Sequence, residues 1–304
     1  MDAKPNDSST ADAQSGLIAT VGAFIIWGLF PLYWRFLEAV PAVQIIAHRI
    51  AWCAVFVVAL LLLRRGTGWI GRLLKRRRLL AVLALSSLLI SFNWGLFIWA
   101  VNHGHVVDIS LGYFINPLIN VVLGVLVLGE RVNRRQGLAV AVAASGVAFL
   151  TWKAGGLPWI ALSLAFSFAT YGLLRKLADV DPIEGLAVEA GYWFVPVLIF
   201  LIWLESSGQG VFGHASAAQG QLLALGGFIT AIPLILFAYG ARRVNYITVG
   251  FIQYLGPTLH LLIGVFLFGE AFGWDRAVGF MLIWSALVIY AGDGIWRLRL
   301  RGHG

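Results

Sequence analysis

Long stretches with few or no charged side chains recur along this chain, each close to twenty residues. A helix of that length spans the ~30 Å hydrocarbon core of a bilayer. Ten such stretches are read as helices, at 16–34, 43–63, 79–101, 109–128, 135–152, 157–174, 184–204, 221–241, 247–268 and 276–296. They are too long and too uniformly apolar for barrel strands, and lipid accepts only helices or closed barrels because it cannot hydrogen-bond an exposed backbone. Composition agrees: 60% of residues are hydrophobic and 12% charged, against roughly a quarter charged in soluble domains. Thirteen Trp fit interfacial aromatic belts. The predicted class is an all-α polytopic membrane protein.

The net charge of +8 does not point to nucleic acid, because the basic residues sit in short runs between apolar segments. With a cytoplasmic N-terminus, the inside segments hold Lys4, Arg64, Arg65, Arg72, Lys75, Arg76, Arg77, Arg78, Arg131, Arg134, Arg135, Arg175, Lys176, Arg242, Arg243, Arg297, Arg299 and Arg301. That is eighteen of the 22 basic residues, which predicts both termini inside. The basic loop 64–78 reads as a topology determinant, with a lipid-sensing surface helix as the alternative. Residues 1–15 read as a disordered cytoplasmic tail without the basic region of a cleavable signal, and 297–304 as a basic cytoplasmic tail. Cys53 is the only cysteine, so no intrachain disulfide is expected.

The chain also repeats itself. Pro117–Glu130 (PLINVVLGVLVLGE) returns as Pro257–Glu270 (PTLHLLIGVFLFGE) at an offset of 140, which also pairs Phe97 with Phe237 and Trp99 with Tyr239. The two copies are read as five-helix repeats over 16–152 and 153–296. Pro117 falls in the fourth span and Pro257 in the ninth; five spans apart is an odd number, so the second copy is inserted upside down. Inverted repeats are a transporter device, because exchanging the conformations of two near-equivalent halves opens a central site first to one side and then to the other.

Several stretches resemble the drug/metabolite transporter superfamily, in its EamA branch and more closely the RarD family. They are AFIIWGLFPLYWR at 23–35, AHRIAW at 47–52, NWGLFIWAVN at 93–102, SLGYFINPLINVVLGVLVLGER at 110–131, SLAFSFATYGLLRK at 163–176 and GFIQYLGPTLHLLIGVFLFGE at 250–270. The resemblance implies ten helices around a central cavity and a multi-pass protein of the bacterial inner membrane.

Polar residues interrupt spans four and nine on one face. Tyr113, Asn116, Pro117 and Asn120 follow helical spacing, as do Gln253, Pro257 and His260. They are candidates to line a substrate cavity from two sides, with Pro117 and Pro257 as helix breaks; interhelical hydrogen bonds and Pro-kink packing are the structural alternative. His260 could also change protonation near neutral pH. Trp27, Asn93, Trp94 and Trp99 are candidates for aromatic and polar cavity walls. Arg49 and Glu189 are equivalent at offset 140 and lie inside their spans, where a charge costs at least ~2.5 kcal/mol. Inversion sends them toward opposite leaflets, so symmetry does not predict a direct salt bridge. Arg49 suits an anionic group and Glu189 a coupling proton, with snorkelling from a helix end as the alternative. Glu130 and Glu270 follow Gly at two symmetric helix ends and are candidate gates, or for Glu130 a partner of Arg131 or Arg134.

Other patterns carry little. Gly208–Gly213 fits a dinucleotide fingerprint but has no preceding strand. His103, His105 and Asp108 cluster without a fourth ligand, so no metal is expected. No P-loop, HExxH or GxSxG pattern occurs, which argues against direct ATP use and against common membrane hydrolases; no cofactor and no enzymatic activity are expected. The function read from the sequence is a secondary transporter or exporter of a small organic metabolite or drug-like molecule by alternating access. The alternatives are a passive channel or facilitator, or a membrane-embedded sensor. The expected partners are a small-molecule substrate and the lipid bilayer. The small-residue series Gly137, Ala141 and Ser145 suits close packing within one chain or in a homodimer.

Overall fold

A computed structural model describes residues 7–103, 105–153, 158–212, 214, 216–269 and 273–301. The described elements are α1 (Asp7–Trp34), α2 (Ala42–Arg65), α3 (Gly68–Leu74), α4 (Arg77–Asn102), α5 (Val106–Leu126), α6 (Arg134–Lys153) and α7 (Trp159–Leu177). They continue with α8 (Pro182–Ser206), α9 (Ala217–Ala241), α10 (Tyr246–Gln253), α11 (Leu255–Leu262) and α12 (Trp274–Arg301). No strand occurs among the described residues, and nine spans there are long and apolar enough to cross a membrane. The long helices turn apolar side chains outward, as with Val195, Ile199 and Ile202 on α8, which suits lipid rather than water.

Local sequence explains most boundaries. Asp181 caps α8, its Oδ1 accepting from the backbone N–H of Ile183 at 2.9 Å with Pro182 in the first turn, and Ser216 caps α9. Three expectations need correction. Residues 7–15 of the expected disordered tail belong to α1. The fifth expected span, α6, is helical, but Arg134, Arg135, Gln136 and Lys153 shorten its apolar run and it is not among the nine. The ninth expected span comes in three pieces: α10, α11 and a π-helical segment Ile263–Leu267, with the first break at Tyr254. Pro257 accounts for that break, since its ring excludes the carbonyl of Gln253 four residues earlier and it donates no hydrogen bond. The same chemistry at Pro117 does not break α5, which runs unbroken through it. One lost backbone bond is tolerable inside a packed membrane helix, so Pro117 is not a helix break.

Two compact units emerge, and neither coincides with one sequence copy. The first comprises Met1–Ile98 and Thr170–Val244. Within it α9 packs against α1 and α2, and α2 against α8. Gly227 lets α2 and α9 approach closely, because a Cβ there would lie 2.4 Å from the Trp52 Cβ. Phe24, Trp27 and Phe237 form an aromatic cluster with centroids 5.2–5.9 Å apart. At one end, the basic loop is tied to the α7–α8 connection. Arg65 pairs with Asp181 at 2.9 Å and with Glu184 at 2.8 Å, Arg72 reaches Glu184 at 3.2 Å, and Arg76 reaches Asp179 at 3.0 Å.

The second unit comprises Trp99–Ala169 and Asn245–Gly304. Here α6 runs along α12, and α10 packs against α5. The buried face of α6 carries Ala139, Ala143, Gly146 and Val147, whereas Ala141 and Ser145 of the small-residue series are exposed. Phe251 stacks on Tyr290 at 3.9 Å, and the Trp284 indole N–H donates to Thr258 Oγ1 at 3.1 Å.

Burial pushes the Asp181 carboxyl up, but hydrogen bonds from Arg65 and from two backbone N–H groups, with the Arg65 charge, more than offset it and leave it below its ordinary value. A depressed carboxylate stabilises the fold above its unfolded pKa of about 3.9 and loses that contribution as pH falls through the folded value. Thermal unfolding in detergent should therefore show the wild-type advantage over Asp181→Asn intact at pH 6 and shrinking below pH 4.

Candidate functional site

A cavity of about 400 Å³, counting the solvent space at its mouth, lies in the first unit. Its walls are helix faces. Arg49, Ile50 and Cys53 come from α2, and Ser87, Ile90, Ser91 and Trp94 from α4. Leu186, Glu189, Ala190 and Trp193 come from α8; Tyr171 of α7 with Thr230 and Leu234 of α9 complete it. Spacings of three and four place each set on one face of its helix.

Arg49 is half-buried on α2. Its Nε donates to Thr230 Oγ1 at 2.9 Å, and that hydroxyl donates onward to the Gly226 carbonyl at 2.7 Å. The guanidinium carbon lies 4.8 Å from the Trp34 ring and 4.7 Å from the Trp94 ring, with Phe30 at 5.8 Å. Cation–π attraction on this scale contributes ~0.5–2 kcal/mol per ring and fixes the plane of the fork.

Glu189 is 4% exposed and sits among donors. Ser86 Oγ donates to its Oε1, Arg175 Nη1 lies 3.5 Å from the same oxygen, and Ser87 Oγ donates to the Glu189 backbone carbonyl at 2.9 Å. Arg175 is also almost fully buried, and its Nη2 donates to the Pro182 carbonyl at 3.1 Å. Arg175, one residue past the expected end of its span at 174, belongs to the last turn of α7. Gly185 makes room for it, since a Cβ there would sit 2.2 Å from Arg175 Nη1. Arg49 and Glu189, sent by symmetry toward opposite leaflets, line the same cavity, and Glu189 is paired with Arg175.

Of the aromatic and polar wall candidates, Trp94 lines this cavity. Asn93 is half-buried beside it on α4, and Trp27 belongs to the aromatic cluster with Phe24 and Phe237. Trp99 stacks on His103 and His105 at 4.5 and 5.5 Å, and His105 Nδ1 lies 3.3 Å from Asp108. Trp99 and five further cavity candidates, Tyr113, Asn116, Asn120, Gln253 and His260, lie in the second unit. Asn120 Nδ2 donates to Gln253 Oε1 at 2.7 Å, an interhelical bond between α5 and α10 with both side chains buried. Tyr113 meets the His260 ring edge-on at 5.9 Å, and the Oδ1 of buried Asn116 has no hydrogen-bond partner among the described residues.

Glu130 has a different partner from the arginines expected for it. Gly129, at φ +65°, turns the chain after α5. The Glu130 carboxylate then accepts from the backbone N–H groups of Tyr246 and Ile247 at 2.6 and 2.9 Å. It thus caps α10, whose own N-cap Asn245 makes no side-chain cap bond, and places a negative charge where the helix dipole favours one. Glu270 lies outside the described residues.

Membrane-length helices enclosing a small cavity that holds an arginine and a buried carboxylate define a polytopic membrane protein of the transport class. The EamA-like transporter family matches residues 14–152 and again 156–292, and the chain belongs to that family. A protein RarD of Streptomyces exfoliatus is 46% identical over 285 residues, covering 93% of this chain and 90% of its own. An uncharacterized transporter of Pseudomonas aeruginosa is 44% identical, covering 95% and 97%. The uncharacterized transporter YojE of Bacillus subtilis is 43% identical, covering 96% and 99%. One solved crystal structure, 16% identical, superposes with a TM-score of 0.67 over 90% of this chain and 96% of its own, which shows a shared fold.

Gly185→Ala should push Arg175 off Glu189 and lower stability by on the order of 3 kcal/mol, the scale of breaking a buried ion pair. Thermal unfolding of the purified protein reads this, and an unchanged midpoint would show that the pair does not depend on the missing side chain. Glu130→Ala should cost about 1–2 kcal/mol, a lost helix cap, and Glu130→Gln less because one acceptor oxygen remains. Equal losses in the two variants would argue against the capping role.

Proposed function

We propose that this protein is a secondary transporter of a small organic molecule in the bacterial inner membrane, working by alternating access. In this reading, two inverted five-helix halves place both termini in the cytoplasm, and the cavity of the first unit is the substrate site. The observation that carries it is the pair of ionisable side chains, Arg49 and Glu189, on the wall of one cavity between membrane-length helices. Charge at that depth is costly and marks substrate or proton pathways by default. Family membership and the 140-residue repeat support the alternating mechanism. With no nucleotide-binding motif in the chain, uphill movement would draw on a proton gradient or on exchange, and Glu189 is the carboxylate positioned to take the proton.

A thermal-shift screen of metabolites and drugs against the purified protein, followed by flux of the hits in proteoliposomes, tests this. The expected flux is saturable and accelerated by unlabelled substrate on the far side; linear flux with no such acceleration would identify a channel. Glu189→Gln should retain exchange of the same compound but lose at least tenfold of the uptake driven by an imposed pH gradient. Unaltered gradient-driven uptake would remove Glu189 from the coupling.

A further inference from the structure

We propose that the connection between α2 and α4 is a docking site for an anionic phospholipid. Its phosphate meets Arg64, Lys75, Arg77 and Arg78, and its acyl chains cover Ile70 and Leu74. The site lies apart from the cavity and does not depend on what the cavity carries.

Residues 64–78 hold seven cations, and the carboxylates that reach them come from the α7–α8 connection: Asp179, Asp181 and Glu184. Those three are spent on Arg65, Arg72 and Arg76, and Asp179 also faces Arg242 at 3.5 Å. The side chains of Arg64, Lys75, Arg77 and Arg78 are exposed and have no ion pair or hydrogen bond among the described residues. Four like charges on one short connection repel one another, and an anionic surface relieves that repulsion.

Position and shape select a lipid over a soluble anion. One membrane-length span ends at Arg65 and the next starts at Arg77, so α3 lies where headgroups begin. It carries two apolar stripes, each at a spacing of four. Trp69 and Leu73 are buried, whereas Ile70 and Leu74 are exposed, Leu74 at 64%. A free phosphate would satisfy the cations and leave that outer stripe in water. A phospholipid satisfies both, since Lys and Arg stems lie along apolar surface while their heads reach the phosphate. The ion pairs of Arg65, Arg72 and Arg76 already fix the connection, which lowers the ordering cost of binding.

The test uses the full chain in nanodiscs of phosphatidylcholine, alone or mixed with phosphatidylglycerol, with amide hydrogen exchange read segment by segment. Phosphatidylglycerol should slow exchange over Gly68–Arg78 by at least about threefold, the scale of a few cations meeting an anionic surface. Raising the salt about tenfold should remove most of that difference in the wild-type protein, because exposed charges are screened. Lys75→Gln combined with Arg77→Gln and Arg78→Gln should abolish it, with Arg65, Arg72 and Arg76 left to hold the connection in place. Ile70→Ser with Leu74→Ser, which keeps every cation, should weaken the protection by about twofold or more. Inorganic phosphate or glycerol phosphate added to the phosphatidylcholine discs should not reproduce it. Equal exchange in the two lipid mixtures overturns the proposal, as does a difference that ignores salt. The same protection from either soluble anion overturns it too, as does full protection in a folded triple or serine variant. Where a variant folds poorly, the salt and soluble-anion measurements on the wild-type protein decide alone.

Discussion

In the first unit a carboxylate and a guanidinium, each almost wholly withdrawn from solvent, lie side by side where apolar surroundings could satisfy neither. Glu189 is kept there by donors from two other helices, Ser86 from α4 and Arg175 from α7. Each neighbour is fixed in turn. Ser87 holds the α8 backbone at Glu189, the Pro182 carbonyl holds Arg175, and the bare backbone at Gly185 leaves the arginine its berth. Remove one member and an uncompensated charge remains, which in such settings costs several kcal/mol. The arrangement of α4, α7 and α8 around the cavity follows from that requirement.

The second unit meets the same requirement with amide, hydroxyl and carboxylate contacts between helices. Asn120 and Gln253 satisfy each other across α5 and α10, Tyr246 donates its hydroxyl to the Ala169 carbonyl, and Glu130 spends its charge on the first N–H groups of α10. These contacts lock helices together. In the cavity unit Arg49 meets the Trp34 and Trp94 rings and the Thr230 hydroxyl, and Arg175 stands beside Glu189. The two units thus differ in how their polar atoms are used, although both draw on both copies of the repeat.

Much of the fold was legible because lipid punishes every departure from a few rules. Apolar length marked the helices, and the internal repeat pointed to the family. What escaped notice depended on side chains that are not there. Arg175 looked like one more basic residue at a cytoplasmic end, and nothing local distinguishes it from Lys176, which reaches the carbonyls of Ala241 and Val244. Its burial is decided by Gly185 on the next helix. The signal that was present and overlooked is the run Ser87, Ser91, Trp94 on α4, a polar stripe at spacings of four and three that faces the cavity. In spans four and nine the reverse happened. The pattern of Asn120 and Gln253 suits a cavity wall and an interhelical bond equally, and only their 2.7 Å separation tells which contact they make here. The paired prolines show the same limit, since identical chemistry divides α10 from α11 and leaves α5 whole.

Cys53 sits on the cavity wall, buried on α2 one turn beyond Arg49, and it is the only thiol in the chain. One substitution therefore yields a thiol-free protein onto which pairs of spin labels or fluorophores can be placed at will. The native molecule carries a single buried sulfur beside the groups proposed to hold the cargo, so any access to it by small membrane-permeant reagents reports on that space without any engineering.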